Sequence, residues 1–404
     1  MSPDVGVPPT PYTAADRRAL ASVAVQFFVN GAAFASFVPR LPEIRERIGV
    51  GLDGLGLLMS LALVVGTVGS LQAPALIARF GTRRTLIAGG ILLTAALPTL
   101  GFATAPIVFV FGLATMSVAD GLVDVSMNLQ GSWLSGRRHA PVMNRLHGLW
   151  SMGTVVGGLV AAQAAAAGVS IERHLLVAAV LMAGGLVFVG RGLLSVDEGG
   201  HDETGGGAGT KPLAPVDRSR AARTTLLLLA MAGAFSITVE LVSGDWAAFR
   251  LTEDFGATAG FAGLGFVAFT AGMTTGRLGG DFVQLRIGDD RMLRLATLVA
   301  GVGLAGAAFL PNRWAVLAAY VVAGVGASTF FPKLYDDAAK FRGRRGRGLA
   351  WLRTGSSLPA LLIPTVVGVL ASTRLSVGSA TAIVTLPCVA GMLALSLRRP
   401  SAPE

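Results

Sequence analysis

The chain has 404 residues, 52% of them apolar and only 14% charged, with a mean hydropathy of +0.65 and a formal net charge of +10. A soluble domain carries roughly 25% charged residues to keep its surface wet, so a water-facing globule is excluded. The single cysteine, Cys388, excludes an internal disulfide and a cysteine metal cluster, and His139, His147, His174 and His201 are too scattered for metal-ligand spacing.

Residues 1–18 read as a polar tail ending in Arg17-Arg18, without a signal-peptide cleavage site after the first apolar run. Apolar runs then recur at roughly 19–39, 52–76, 84–104, 107–134, 143–168, 173–194, 224–249, 258–283, 292–310, 314–331, 349–372 and 376–397, each near the length of a bilayer crossing. The expectation is an all-α membrane protein of about twelve transmembrane helices. The 54 glycines, abundant inside these runs, suit close helix packing rather than flexible linkers. Cys388 reads as a small lipid-facing or packed residue.

One long polar stretch, Ser195 to Arg223, is Gly-rich and lacks apolar periodicity, which predicts a flexible linker. It separates a six-span block over 19–194 from another over 224–397, followed by a short tail from 398 to 404. The basic residues test this count. Arg79, Arg83, Arg84, Arg137, Arg138, Arg145, Arg286, Arg291, Arg294 and the stretch from Lys333 to Arg353 fall on one side, with the linker and both termini. Arg40, Arg45, Arg47, Arg173, Arg250, Arg313 and Arg374 fall on the other. That bias places both termini in the cytoplasm, explains the net charge without nucleic acid, and fails for an odd number of spans. The run Arg342-Gly343-Arg344-Arg345-Gly346-Arg347 is expected to orient the protein and meet anionic headgroups. Lys333, Asp336 and Asp337 beside it suggest an inner-face charge network.

An internal repeat supports the division. At a constant offset of 207, Gly49 matches Gly256, Gly56-Leu57 matches Gly263-Leu264, Gly69 matches Gly276, and Arg79-x-Gly81 matches Arg286-x-Gly288. On these residues the whole chain resembles the major facilitator superfamily, whose two parallel six-helix repeats hold substrate near the membrane midplane. The family's signature loop after the second span appears as Gly69 … Arg79-Phe80-Gly81-Thr82-Arg83-Arg84, with Ala78 where an Asp is usual. The second copy is fuller: Gly276-Arg277-Leu278-Gly279-Gly280-Asp281 … Arg286-Ile287-Gly288. The resemblance implies that these are gating loops closed by Asp–Arg contacts, expected in the second half through Arg277 and Asp281. A narrower likeness is to the YbjJ-like branch, distantly related to fucose permease-type sugar/proton symporters. It rests on Asp124-x3-Asn128, on Pro141-x-Met143-x3-His147-Gly148-x-Trp150-Ser151-x-Gly153, and on Glu240-x4-Asp245-Trp246.

Polar residues inside spans are costly, and each is a candidate for function. Asp120, Asp124 and Asn128 recur at four-residue spacing, so they share one helix face and argue for a wet cavity; the alternative is a structural cluster satisfied by neighbouring helices. Arg145 either pairs with Asp124 or anchors the interface, and His147 beside it is a candidate proton carrier. Glu240 lies deep in the seventh span and is the favoured proton-coupling carboxylate, with Asp124 as its rival. Asp245 and Trp246 lie toward the outer end of that span. Trp246 reads as an interfacial belt residue before a substrate-stacking platform. Asn30 either hydrogen-bonds a polar substrate or packs helices.

A nucleotide-binding Gly-rich loop is absent, so energy must come from an ion gradient, and the resemblance favours protons over sodium. The expected activity is secondary transport of a small, polar or sugar-like solute by a monomer in the bacterial cytoplasmic membrane, without a cofactor. Proton-driven efflux of amphipathic compounds is the alternative. Asp120-x3-Asp124 superficially resembles the diphosphate-binding pair of membrane prenyltransferases, but neither Asp289-Asp290 nor Asp336-Asp337 supplies the second motif such an enzyme needs.

Overall fold

A computed structural model describes residues 12–138, 142–194, 220–339 and 347–397. The linker up to residue 219, the arginine run from 342 to 346 and both extreme termini lie outside the described residues. The described residues are helical throughout: α1 (Ala14–Phe37), α2 (Leu41–Ile48), α3 (Leu52–Ser70), α4 (Ala73–Phe80), α5 (Thr82–Gly101), α6 (Pro106–Arg138), α7 (Met143–Ala166) and α8 (Ile171–Gly192) precede the linker. After it come α9 (Arg220–Asp245), α10 (Ala247–Phe255), α11 (Ala259–Ile287), α12 (Asp289–Phe309), α13 (Arg313–Ala327), α14 (Phe330–Ala339), α15 (Arg347–Ala371) and α16 (Val377–Leu397).

Among the described residues, eleven stretches are both long and apolar enough to cross a bilayer. The twelfth expected span is α11, whose 29 residues suffice in length, while its glycines, threonines and Arg277 dilute its apolar character. Two expected spans are each broken in two. Pro74 sits in the first turn of α4, and the helix yields at Leu71-Gln72 because proline lacks the N–H and crowds the carbonyl four residues earlier. Pro332 breaks the span containing α13 in the same way, at Ser328-Thr329.

The repeat is conformational as well as sequential. Gly49 and Gly256 adopt φ of 69° and 61°, and Gly81 and Gly288 adopt 81° and 79°. A side chain at any of these would be strained, which explains why glycine persists there. Packing repeats too. In the first half α1 packs on α7 and α8, and α5 on α6 and α8; in the second, α9 packs on α15 and α16, and α12 on α13 and α16. Three of these crossings bring backbone onto backbone: α1 with α7, α9 with α15, and α12 with α13, where a Cβ on Gly303 would lie 2.2 Å from the backbone nitrogen of Ala323. A Cβ on Gly31 or Gly153 would lie 2.1 Å from the carbonyl oxygens of Trp150 and Phe28, and one on Gly355 would lie 2.1 Å from that of Ala230.

By contacts the chain divides into two compact units, and the boundary differs from the expected six-plus-six cut. Residues 38–46 and 50–60 group with the second unit, the remainder of the first block forming the other. Within the second unit Arg45 pairs with Glu253 at 2.9 Å, Asp53 N donates to Ser372 Oγ, and Thr365 Oγ1 donates to Ser60 Oγ at 2.8 Å.

The short helices α2 and α10, which continue the first span of each half, carry arginine clamps. Arg47 joins Glu172 at the start of α8 (2.6 Å) and donates to the Gly101 carbonyl at the end of α5 (3.1 Å). In α10, Arg250 donates to the carbonyls of Ala307 (3.0 Å) and Leu310 (3.3 Å) at the end of α12, and to Asp254 Oδ2 at 2.6 Å. Asp254 in turn accepts from the backbone N–H groups of Val377 (3.0 Å) and Gly378 (2.9 Å), capping α16.

Candidate functional site

In the first unit, α1 and α6 run antiparallel and meet along polar residues. At the loop end, Tyr12 donates to the Leu134 carbonyl, and Asp16 forms a short ion pair with Arg137. At mid-helix, Asn30 Nδ2 donates to Asp120 Oδ1 at 2.9 Å. Asn30 is 3% exposed, and its Oδ1 is buried without a partner among the described residues. One turn earlier Gln26, at 1% exposure, also buries an unpartnered carbonyl oxygen. Two acceptors left open in one seam are uncommon, because buried polar atoms are nearly always bonded.

One turn along α6, Asp124 is exposed, and Asn128 donates to its Oδ1 (2.9 Å) and backbone carbonyl (2.8 Å). The three residues of the expected stripe divide: Asp120 is turned to α1, while Asp124 is exposed and Asn128 half-buried. The Arg145–Asp124 pair does not form. Arg145 is exposed and makes no ion pair among the described residues, as suits an interfacial anchor. His147 on α7 packs its ring edge-on against Phe27 of α1, with centroids 5.2 Å apart.

In the second unit, Glu240 on α9 is half-buried, with Oε1 3.9 Å from Arg277 Nη2 on α11. That separation is an ion pair without a direct hydrogen bond. Arg277, expected to serve a gating contact with Asp281, therefore also faces the candidate coupling residue; the side chain of Asp281 lies outside the described residues. Asp245, the last residue of α9, is partly buried and unpaired among the described residues. Trp246 is 1% exposed and packs against Phe249 at 5.2 Å, and the guanidinium of Arg45 lies over the Phe249 ring. It is a core residue of this unit, and the belt reading is corrected: the helix breaks at Trp246, which turns its ring inward.

Other basic residues of the signature loops make contacts of their own. In the first half Arg83 donates to the Gly190 carbonyl at the end of α8 (2.7 Å), and Arg79 stacks on Phe80. In the second, Arg286 stacks on Phe282 with 4.0 Å to the ring centroid. Farther along, Lys333 pairs with Asp337 at 2.7 Å, part of the expected charge network. Sequence reasoning passed over Gln26 and the Glu240–Arg277 pair. Ser22, Gln26 and Asn30 recur at four-residue spacing, a signal of the same kind that picked out α6.

With this geometry in hand, comparisons place the chain among known proteins. A family model described as Major Facilitator Superfamily matches residues 23–244. The chain is 28% identical over 323 residues to an uncharacterised MFS-type transporter of Yersinia pestis, covering 78% of this chain and 79% of that protein. It is 25% identical over 323 residues to the membrane protein MosC of Rhizobium meliloti, covering 79% and 75%. Among solved structures, the nucleoside transporter NupG superposes with a TM-score of 0.70 at 11% identity, covering 95% of this chain and 98% of that one. The E. coli fucose:proton symporter FucP does so with a TM-score of 0.61 at 15% identity, covering 95% and 98%. At such identities the solved structures speak to the fold alone.

Proposed function

The chain belongs to the major facilitator superfamily, an integral membrane protein and secondary transporter, and from that premise we propose that it carries a small polar, sugar-like solute coupled to protons by alternating access. The observation that carries this reading is the polar seam of the first unit. Asp124 is exposed with its carboxylate joined to the Asn128 amide, and Asn30 and Gln26 hold buried carbonyl oxygens that have no donor among the described residues. A solute bearing several hydroxyls supplies such donors, whereas an amphipathic drug does not.

Proton coupling falls to carboxyls that sit away from bulk water. Asp120 is held by Asn30, and Glu240 is offset from Arg277, so each has a partner whose interaction changes when the carboxyl gains a proton. Asp124, being exposed, is assigned to solute binding instead. The protein works as a monomer in the bacterial cytoplasmic membrane with both termini inside, as the distribution of arginines favours.

Reconstitution into liposomes with an imposed pH gradient tests the proposal. A sugar or polyol that raises the melting temperature of the purified protein should also accumulate uphill, and collapse of the gradient should release it. Stabilisation by hydrophobic cations alone, with none by hydroxylated solutes, refutes the polar-solute reading. Uphill accumulation that persists without a proton gradient refutes the coupling.

A further inference from the structure

The turn between α4 and α5 holds an uncompensated cluster of arginines beside an apolar cavity. Four arginines elsewhere in the protein have carboxylate partners: Arg40 with Glu43, Arg45 with Glu253, Arg47 with Glu172, and Arg250 with Asp254. No Asp or Glu occurs between Asp53 and Asp120, and Ala78 stands where the signature loop usually has its acid. The equivalent turn of the second half differs, since Asp289 and Asp290 immediately precede its Arg291. Arg83 is used by the Gly190 carbonyl, but Arg79 and Arg84 meet no carboxylate among the described residues.

Beside them lies a cavity of about 290 Å³ lined by Leu76 and Phe80 of α4, Arg84, Thr85 and Ala88 of α5, and Leu122 of α6. Its wall is apolar apart from Arg84 and Thr85, and the Thr85 hydroxyl is already spent on the Gly81 carbonyl at 2.9 Å. The volume is at or below the smallest of the roughly 300–1,000 Å³ sites that enclose a whole small molecule. It suits a length of hydrocarbon chain whose head stays outside. Phe80 is 44% exposed and Leu71 70%, so the surrounding surface is one that lipid covers.

We propose that this cavity is a binding site for an anionic phospholipid. One acyl chain enters between α4, α5 and α6, and the phosphate accepts hydrogen bonds from Arg84 and Arg79. Two features point to lipid rather than to a soluble anion. The charge sits at the rim of a hydrocarbon-lined space, and the guanidinium fork matches a phosphate diester. The proposal is independent of which solute the protein transports.

The test uses the full chain in nanodiscs of phosphatidylcholine containing a minor fraction of phosphatidylglycerol with a photoreactive acyl chain. The label is expected on peptides of α4, α5 or α6, and an equally labelled phosphatidylcholine should leave them unmarked. Arg84→Ala should weaken labelling about fivefold, the worth of one arginine near an anionic surface. Ala88→Trp, at an exposed position that tolerates bulk, should abolish it by filling the cavity while transport continues. Equal labelling by phosphatidylcholine, or labelling unchanged in both variants, overturns the proposal. Loss of the label on adding inorganic phosphate alone overturns it as well, by assigning the site to a free anion. The wild-type map stands on its own if either variant misfolds: label absent from all three helices also overturns the site.

Discussion

Asp254→Ala should be among the most damaging single changes outside the membrane spans. The carboxylate accepts two backbone N–H groups at the start of α16 and one guanidinium N–H from Arg250. Losing a helix cap costs about 1 kcal/mol. Breaking a buried ion pair costs about 3–5 kcal/mol, because the surviving charge is left unpaired. Arg250 is 7% exposed but keeps the carbonyls of Ala307 and Leu310, so the lower end of that range applies. The expected loss is about 4 kcal/mol. For a unit of this size that corresponds to a fall of roughly 8–16 °C in apparent melting temperature, read by scanning fluorimetry in detergent. Asp254→Asn should fall between wild type and alanine, since its amide oxygen can still accept one N–H. Asp53→Ala, an exposed carboxylate with no ion pair among the described residues, is the control and should change stability by no more than about 0.5 kcal/mol. If Asp254→Ala and Asp53→Ala melt together, the clamp does not hold α16 and the reasoning fails.

Three further outcomes follow from the site and the crossings. Glu240→Gln should abolish accumulation driven by a pH gradient while sparing solute exchange; unchanged uphill transport removes Glu240 from coupling. Asn30→Leu, which strips Asp120 of its donor, should cut uptake at least about tenfold, the equivalent of one hydrogen bond to a charged group. Comparable uptake by this variant at equal expression would show the pair to be structural. Gly153→Ala, forcing a methyl onto the Phe28 carbonyl, should cost about 1–3 kcal/mol in thermal stability, and a neutral result would mean that α1 and α7 cross less closely than described.

Much of this architecture is legible in the residues themselves, and the remainder fails for physical reasons. The crossings announce themselves as apolar runs, and the glycines at 49, 81, 256 and 288 mark the repeat because each holds a positive φ. Helices α2 and α10 are not legible. They are short and amphipathic, with arginines that read as loop charges until their partners Glu43, Glu172 and Asp254 are seen in place. The breaks at Leu71-Gln72 and Ser328-Thr329 were signalled by Pro74 and Pro332 but were hidden inside continuous apolar stretches. In the site, Asp124–Asn128 is readable because four residues make one helical turn. Asn30–Asp120 and Glu240–Arg277 are not, since each joins two helices whose rotation about their own axes no local pattern encodes. Trp246 misleads for a related reason: a tryptophan at the end of a span belongs to the lipid interface only if the helix continues straight, and here it breaks.

The crossings at Gly31, Gly153 and Gly355 bear on how force passes through each half. At a point where backbone meets backbone, no side chain can change rotamer to let the two helices slide. Asn30 and His147 therefore ride on one stiff lever, α1 with α7, and Glu240 on its counterpart, α9 with α15. A push delivered to one end of such a lever by a newly bound solute or proton is passed along the pair, because the crossing itself does not slide.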